Sequence, residues 1–244
     1  MKILSIGNSF SDDSHAYLYE LSKKAGKEIK TVNLVIGGCS LERHFQNAEA
    51  NEKAYALCIN GTDWKEERIS IEDALKSEEF DVVTLQQVSH FSGMYETYQP
   101  YLDSLISYVK EYQPNAKLYF HKTWAYEIDS NHSEYYLYNN DQSLMYKKLC
   151  EASKIAVEKV GAVIPTGDVI QRMREKIPQF DYKNGKESLC RDGFHLSLTY
   201  GRYAAALTWL TTVLGKKAEP IPFMELDKNL ISQISDIINE IVFE

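Results

Sequence analysis

Five short apolar runs, each closed by turn or helix-start residues, constrain this chain more than any other feature. They read "KILSIGN", "KTVNLVIGG", "FDVVTLQQ", "AKLYFHKTW" and "GAVIPTGDV". Segments with helical spacing separate them, at Ala16 to Lys27, Glu72 to Glu79, Tyr101 to Gln113 and Ser143 to Val160. Near-continuous Val, Ile and Leu suit strands buried on both faces, and strands that alternate with helices pair in parallel beneath two helical layers. The sequence thus predicts an α/β fold around a central five-stranded parallel sheet.

Two further helices close the chain. "TYGRYAAALTWLTTVLG" sets Tyr203, Leu207, Leu210 and Leu214 on one stripe, and "DKNLISQISDIINEIVF", about 227–243, does the same with Leu230, Ile234, Ile237 and Ile241. Both read as helices packed on the core, and "EPIPF" between them reads as a connector. Two segments break the alternation. "AYALCINGTDWKEERIS" carries Asn60-Gly61 between two strand-like runs, which predicts a small β-hairpin with a type I′ turn. "WAYEIDSNHSEYYLYNNDQ" reads as a polar, tyrosine-rich loop after the fourth strand. A chain of 244 residues with no repeat fits one domain, 1–244.

Composition narrows the function. A formal net charge of -8 argues against nucleic acid, whose phosphates need a basic face, and against an anionic membrane surface. The scattered cysteines Cys39, Cys58, Cys150 and Cys190 show no C-x-x-C pair and no histidine spacing suited to zinc, so reduced thiols are expected. No apolar run nears the ~20 residues a spanning helix needs. The short apolar stretch after Lys2 runs straight into a Gly-Asn turn without a cleavage site, so a cytoplasmic protein is expected. The sequence leaves the oligomeric state open.

In an open parallel sheet, ligands bind where the loops gather at the carboxyl ends of the strands. Those ends carry Asn8-Ser9, Gly37-Gly38-Cys39-Ser40, Gln86-Gln87 and His121-Lys122-Thr123-Trp124. A serine at the first position either caps the following helix or acts as a nucleophile, and the second role needs an imidazole held by a carboxylate. "RDGFHLS" supplies Asp192 and His195 on one short loop ahead of a long helix, with Ser197 or Thr199 as its cap. Taken alone, Asp192 is equally a turn residue beside Gly193, and His195 a half-buried histidine. Asp12-Asp13 read as first-turn acids that complement the helix dipole.

Together these motifs resemble the SGNH/GDSL hydrolases, over residue 1 to about Leu214. "GNSFS" is similar to the first block of that family, "GGCS" to the second and "DGFH" to the last. The likeness is nearest to an uncharacterised bacterial branch whose first block reads Gly-Asn-Ser-Phe-Ser and whose third strand ends in Leu-Gln. It implies a flavodoxin-like three-layer α/β/α sandwich with Ser9 as nucleophile, His195 as base and Asp192 as the orienting acid. The backbone N–H groups of Ser9 and Gly38 then form the oxyanion hole. Asn8 departs from the usual aspartate, and "LQQVS" stands where the family has Gly-x-Asn-Asp. The resemblance makes Gln86 the third oxyanion donor, with Gln87 the alternative; strand alternation lets only one of them face the site.

The implied reaction is hydrolysis of a short acyl ester, acetyl for preference, of a carbohydrate or similar polar alcohol, and it needs neither a metal nor an organic cofactor. The aromatic cluster after the fourth strand suits sugar rings, and Trp124 and Tyr126 are its candidate substrate-binding residues; packing of a long loop explains the same tyrosines equally well. Two other classes stand beside the esterase. A phosphate-binding module is disfavoured by the acidic, glycine-poor first loop. A catalytically weak or inactive domain that binds glycans or small molecules keeps its place because of the altered third block.

Overall fold

A computed structural model describes residues 1–243. Glu244, the last residue of the expected domain, lies outside the described residues. The strands are β1 Lys2–Gly7, β2 Lys30–Val35, β3 Ala56–Ile59, β4 Asp63–Trp64, β5 Val82–Leu85, β6 Lys117–His121 and β7 Val163–Ile164. The helices are α1 Ser9–His15, α2 Leu18–Lys24, α3 Leu41–Glu49, α4 Ile71–Ser77, α5 Tyr101–Tyr112, α6 Gln142–Val160, α7 Thr166–Lys176, α8 Tyr200–Leu214 and α9 Lys228–Phe243.

One sheet of order β4-β3-β2-β1-β5-β6-β7 runs through the molecule. The five strands expected from the apolar runs are its parallel part, with β1 at the centre between β2 and β5. The hairpin extends it: β3 pairs antiparallel with β2, and β4 closes the edge, making seven strands in place of five. Asn60 and Gly61 both have positive φ, 55° and 77°, as a type I′ turn requires.

Two apolar cores sandwich the sheet. On one face Ile3 packs with Leu18 and Leu21 of α2, Val169 and Ile170 of α7, α8 from Tyr203 to Val213, and Ile231, Ile234 and Ile238 of α9. On the other, Leu4 and Ile6 pack with Leu41 of α3, Leu75 of α4, Leu102 and Leu105 of α5 and Ala152 of α6. Ile3 and Leu4 alternate across the sheet, as a strand buried on both faces demands. Each such side chain fully withdrawn from water contributes about 1.5–3 kcal/mol. No described helix is long and apolar enough to cross a membrane.

Several boundaries differ from expectation. The helix expected over Ala16 to Lys27 is the shorter α2, and a separate helix the sequence reading did not delimit, α1, precedes it from Ser9 and ends before Ala16-Tyr17. "LERHFQNAE" forms α3, capped by Ser40, whose hydroxyl accepts from the Arg43 N–H. The run "GAVIPTGDV" gives a strand of only two residues before Pro165 ends it and α7 begins. Ser197, not Thr199, satisfies the start of α8 by accepting from the Gly201 N–H. In the tyrosine-rich loop, Tyr126, Tyr135 and Tyr138 are fully buried while Tyr136 is exposed.

Candidate active site

Ser9 stands where β1 turns into α1. Gly7 permits the turn: a Cβ there would lie 2.3 Å from Ser11 Oγ. The helix cap is Asn8, whose Oδ1 accepts from the Phe10 N–H at 3.0 Å while its Nδ2 donates to the Cys39 carbonyl at 3.1 Å. Because Asn8 caps, the hydroxyl of Ser9 is left over. Among the described residues it makes no hydrogen bond, to His195 or to any other group, and Ser9 is partly exposed at the first helical position. Its backbone N–H, one of the orphan donors of a helix start, also has no protein acceptor among the described residues.

Gly38 lies on the neighbouring β2–α3 loop, exposed, with φ +63°. The bond from Asn8 Nδ2 to the next residue's carbonyl ties that loop to the serine turn, and the Gly38 N–H has no backbone acceptor among the described residues. The serine's own N–H and that of Gly38, on the loop tied to Asn8, are therefore both left without a protein acceptor among the described residues.

The two glutamines diverge as strand alternation requires. Gln86 is buried and its Nε2 donates to Asn8 Oδ1 at 2.7 Å, while its Oε1 lies 2.8 Å from His121 Nδ1. Burial pushes the His121 imidazole down to about 3, so it is neutral and Nδ1–H donates to Gln86. One amide N–H of Gln86 remains beyond its bond to Asn8. Gln87 points to the other side, where its Oε1 accepts from the backbone N–H groups of Leu41 and Val88 and its Nε2 donates to Thr97. Gln87 is thus a brace for three loops and is corrected out of the site.

Asp192 and His195 meet as a pair: Asp192 Oδ2 is 2.7 Å from His195 Nδ1. Asp192 Oδ1 accepts from the backbone N–H groups of His195 and Phe194 at 2.7 and 3.2 Å. Burial pushes the Asp192 carboxyl up, but these bonds outweigh it and hold it below the usual carboxylate range. An ionised Oδ2 takes the proton-bearing Nδ1 and leaves Nε2 as an acceptor.

The loop carrying this pair is fastened to α1. The Phe10 ring, beside Ser9, lies 5.9 Å from the His195 ring. Asp13, read from sequence as a first-turn acid, is fully buried and does something else. It receives Arg191 at 2.8 Å, Arg202 at 2.9 Å and the Leu196 N–H at 2.7 Å. Behind the loop, Gly193 O accepts from the Glu127 N–H, and Glu127 is held by Arg174, Ser188 and Gln142.

Trp124 and Tyr126 are corrected as substrate-binding candidates. Both are fully buried. Trp124 stacks on Phe10 at 4.2 Å and donates its indole N–H to the Phe194 carbonyl, bridging α1 to the histidine loop. Tyr126 shares a hydrogen bond with Ser89. The partly exposed rings around His195 are instead Phe194, 4.4 Å from it, and His132, 4.8 Å from Phe194, with His90 5.7 Å beyond. Burial pulls both of these imidazoles down, and each position lies in a loop at a strand's carboxyl end. The sequence reading passed over both histidines, and that placement is the one signal that could have found them. Among the described residues no group of three His, Cys, Asp or Glu is set to hold a metal ion.

Comparison with known proteins gives the family and the fold. Residues 2–238 match a family described as a domain of unknown function, DUF4886. A DUF4886 family protein from Bacteroides uniformis is 36% identical, with a TM-score of 0.90 over 100% of this chain and 95% of its own. A Slackia heliotrinireducens protein assigned to the SGNH hydrolases is 22% identical, with a TM-score of 0.58 over 87% of this chain and 98% of its own. An acetyl-xylooligosaccharide esterase from Geobacillus stearothermophilus is 16% identical, with a TM-score of 0.51 over 93% of this chain and 96% of its own. No curated protein matches in sequence. The fold is that of the SGNH hydrolases, a three-layer α/β/α sandwich.

Proposed function

The chain belongs to the DUF4886 family, and we propose that it is a serine esterase that removes a short acyl group, acetyl for preference, from a carbohydrate or similar polar alcohol. The observation that carries the reading is the Asp192–His195 pair, fastened through Asp13 to the helix that begins at Ser9.

Ser9 Oγ attacks the ester carbonyl while His195 Nε2 takes its proton, and Asp192 stabilises the imidazolium that forms. The oxyanion is received by the backbone N–H groups of Ser9 and Gly38, which have no other acceptor among the described residues, and by the remaining amide N–H of Gln86. His195 then gives its proton to the departing alcohol and activates water against the acyl-enzyme. The missing Ser9–His195 hydrogen bond fits a resting site, since such bonds tighten when substrate binds. The small-acyl preference draws support from the polar, partly imidazole-lined rim and from the likeness to the Geobacillus acetyl-xylooligosaccharide esterase.

One observation favours a non-catalytic glycan-binding domain: the Gln86 amide already spends one N–H and its oxygen inside the protein. Hydrolysis of p-nitrophenyl acetate, butyrate and octanoate by wild type and Ser9→Ala decides between the two. A serine esterase for short acyl groups loses turnover with chain length and loses all of it in Ser9→Ala. Equal slow turnover by both proteins removes Ser9 as nucleophile and leaves the binding domain.

A further inference from the structure

On the side of β6 away from His121, four reactive side chains meet outside the site described above. Lys122 is 8% exposed, and its Nζ lies 2.5 Å from Asp168 Oδ1 and 3.2 Å from Cys150 Sγ. Tyr146, one turn before Cys150 on α6, donates its hydroxyl to the same Asp168 oxygen at 2.8 Å, and its ring lies 5.6 Å from Nζ. β6, α6 and α7 thus converge on one buried ammonium. Its ion pair with Asp168 needs no thiol, and sulfur is a weak acceptor for so costly a charge to bury.

Cys150 also differs from the other three cysteines. Cys39, Cys58 and Cys190 are buried, and burial pushes each of their thiols up to about 12. Cys150 is partly exposed. A cavity of about 410 Å³, bounded by Tyr146, Asp168, Arg172 and Glu240, gives small solutes a route to the cluster.

We infer that Cys150 and Lys122 form an oxidative cross-linking site, in which one oxygen atom derived from dioxygen bridges Sγ and Nζ. A single oxygen fits between two atoms 3.2 Å apart with little movement of either side chain. Dioxygen adds to the thiol to give Sγ–O–OH. Asp168 takes one proton from the ammonium, freeing the nitrogen lone pair to attack the sulfur-bound oxygen. The N–O bond forms as the O–O bond breaks, and the hydroxide departs as water with a second proton from nitrogen. In sum, thiol, amine and dioxygen give one S–O–N bridge and one water; sulfur and nitrogen each lose two electrons, and dioxygen gains four. The bridge ties α6 to β6 one residue from His121, the partner of Gln86.

The test is peptide mass spectrometry of the whole protein kept in air or kept anaerobic with a thiol reductant. In air, the peptides bearing Lys122 and Cys150 should appear joined, heavier than their sum by one oxygen less two hydrogens, and the reductant should separate them. Cys150→Ala and Lys122→Arg, the second of which retains a cation for Asp168, should fold and lack the joined species. Separate peptides in air, with Cys150 free or carrying oxygen alone, overturn the proposal. So does a joined mass without the added oxygen, or one that persists in either variant.

Discussion

The carboxylate of Asp13 on α1 accepts a 2.7 Å hydrogen bond from the backbone N–H of Leu196, 183 residues later in the chain. With Arg191 and Arg202 on its other oxygen, that one buried side chain fixes the histidine loop against the helix that begins at Ser9. Asp13→Asn keeps the shape and removes the charge. Breaking a buried ion pair from one side costs about 3 kcal/mol or more, and here the low end applies because both guanidiniums reach solvent. The variant should unfold at lower urea and lose kcat more than it gains in KM. Unchanged unfolding and unchanged kcat would show that the loop holds itself.

The two glutamines separate chemistry from bracing. Gln86→Ala removes the proposed third oxyanion donor and should lower kcat by roughly 10²–10³-fold with little change in KM. Gln87→Ala strands the Leu41 and Val88 backbone donors, at about 1–3 kcal/mol for each one left unpaired, and should cost stability while kcat in the folded protein holds. Steady-state kinetics with urea unfolding reads both. The opposite pattern would mean that Gln87 faces the reaction.

Around the rim, His132 and Tyr126 make a contrasting pair. Tyr126→Phe gives up one buried hydrogen bond to Ser89 and should cost about 1 kcal/mol of stability with KM unchanged. His132→Ala, at a partly exposed ring, should raise KM with stability nearly unchanged. A raised KM in Tyr126→Phe would restore the buried aromatics as substrate contacts.

Acid should unfold the protein through its buried histidines. Burial lowers His15, His44 and His121 from 6.5 to about 3, so the unfolded chain binds protons in this window that the folded chain does not. The stability they confer is whole above pH 6.5 and is lost progressively as pH falls toward 3. Urea midpoints should decline across that window, less steeply in His44→Gln, which removes one of the three groups. A flat profile above the carboxylate range would contradict this account.

Much of this was legible in the sequence because it is local. The apolar runs of β1, β2, β5 and β6 announce themselves, and Asn60-Gly61 fixes its turn through backbone sterics alone. Asp192 and His195 pair across three residues, so "DGFH" allows the pairing locally, and the strand-end motifs beside it made it the favoured reading. Asp13 was misread because its partners lie on a loop and a helix nearly the whole chain away, and a first-turn acid has the same local signature. Trp124 and Tyr126 were misplaced because an aromatic that bridges two elements and one that stacks on a sugar look alike without tertiary contacts. The strand at Val163–Ile164 was overdrawn because Pro165 marks a boundary whose far side, helix or strand, its apolar neighbours leave undecided.

Whether Ser9 is a nucleophile driven by His195 is tested most directly by a fluorophosphonate, which reacts only with an activated serine hydroxyl. Intact and peptide mass spectrometry should find one adduct per chain, on Ser9. Its rate of formation should fall by roughly 10⁴-fold in Asp192→Asn, where the imidazole loses the acid that sets its tautomer. No adduct, an adduct elsewhere that persists in Ser9→Ala, or a rate indifferent to Asp192 would contradict the esterase.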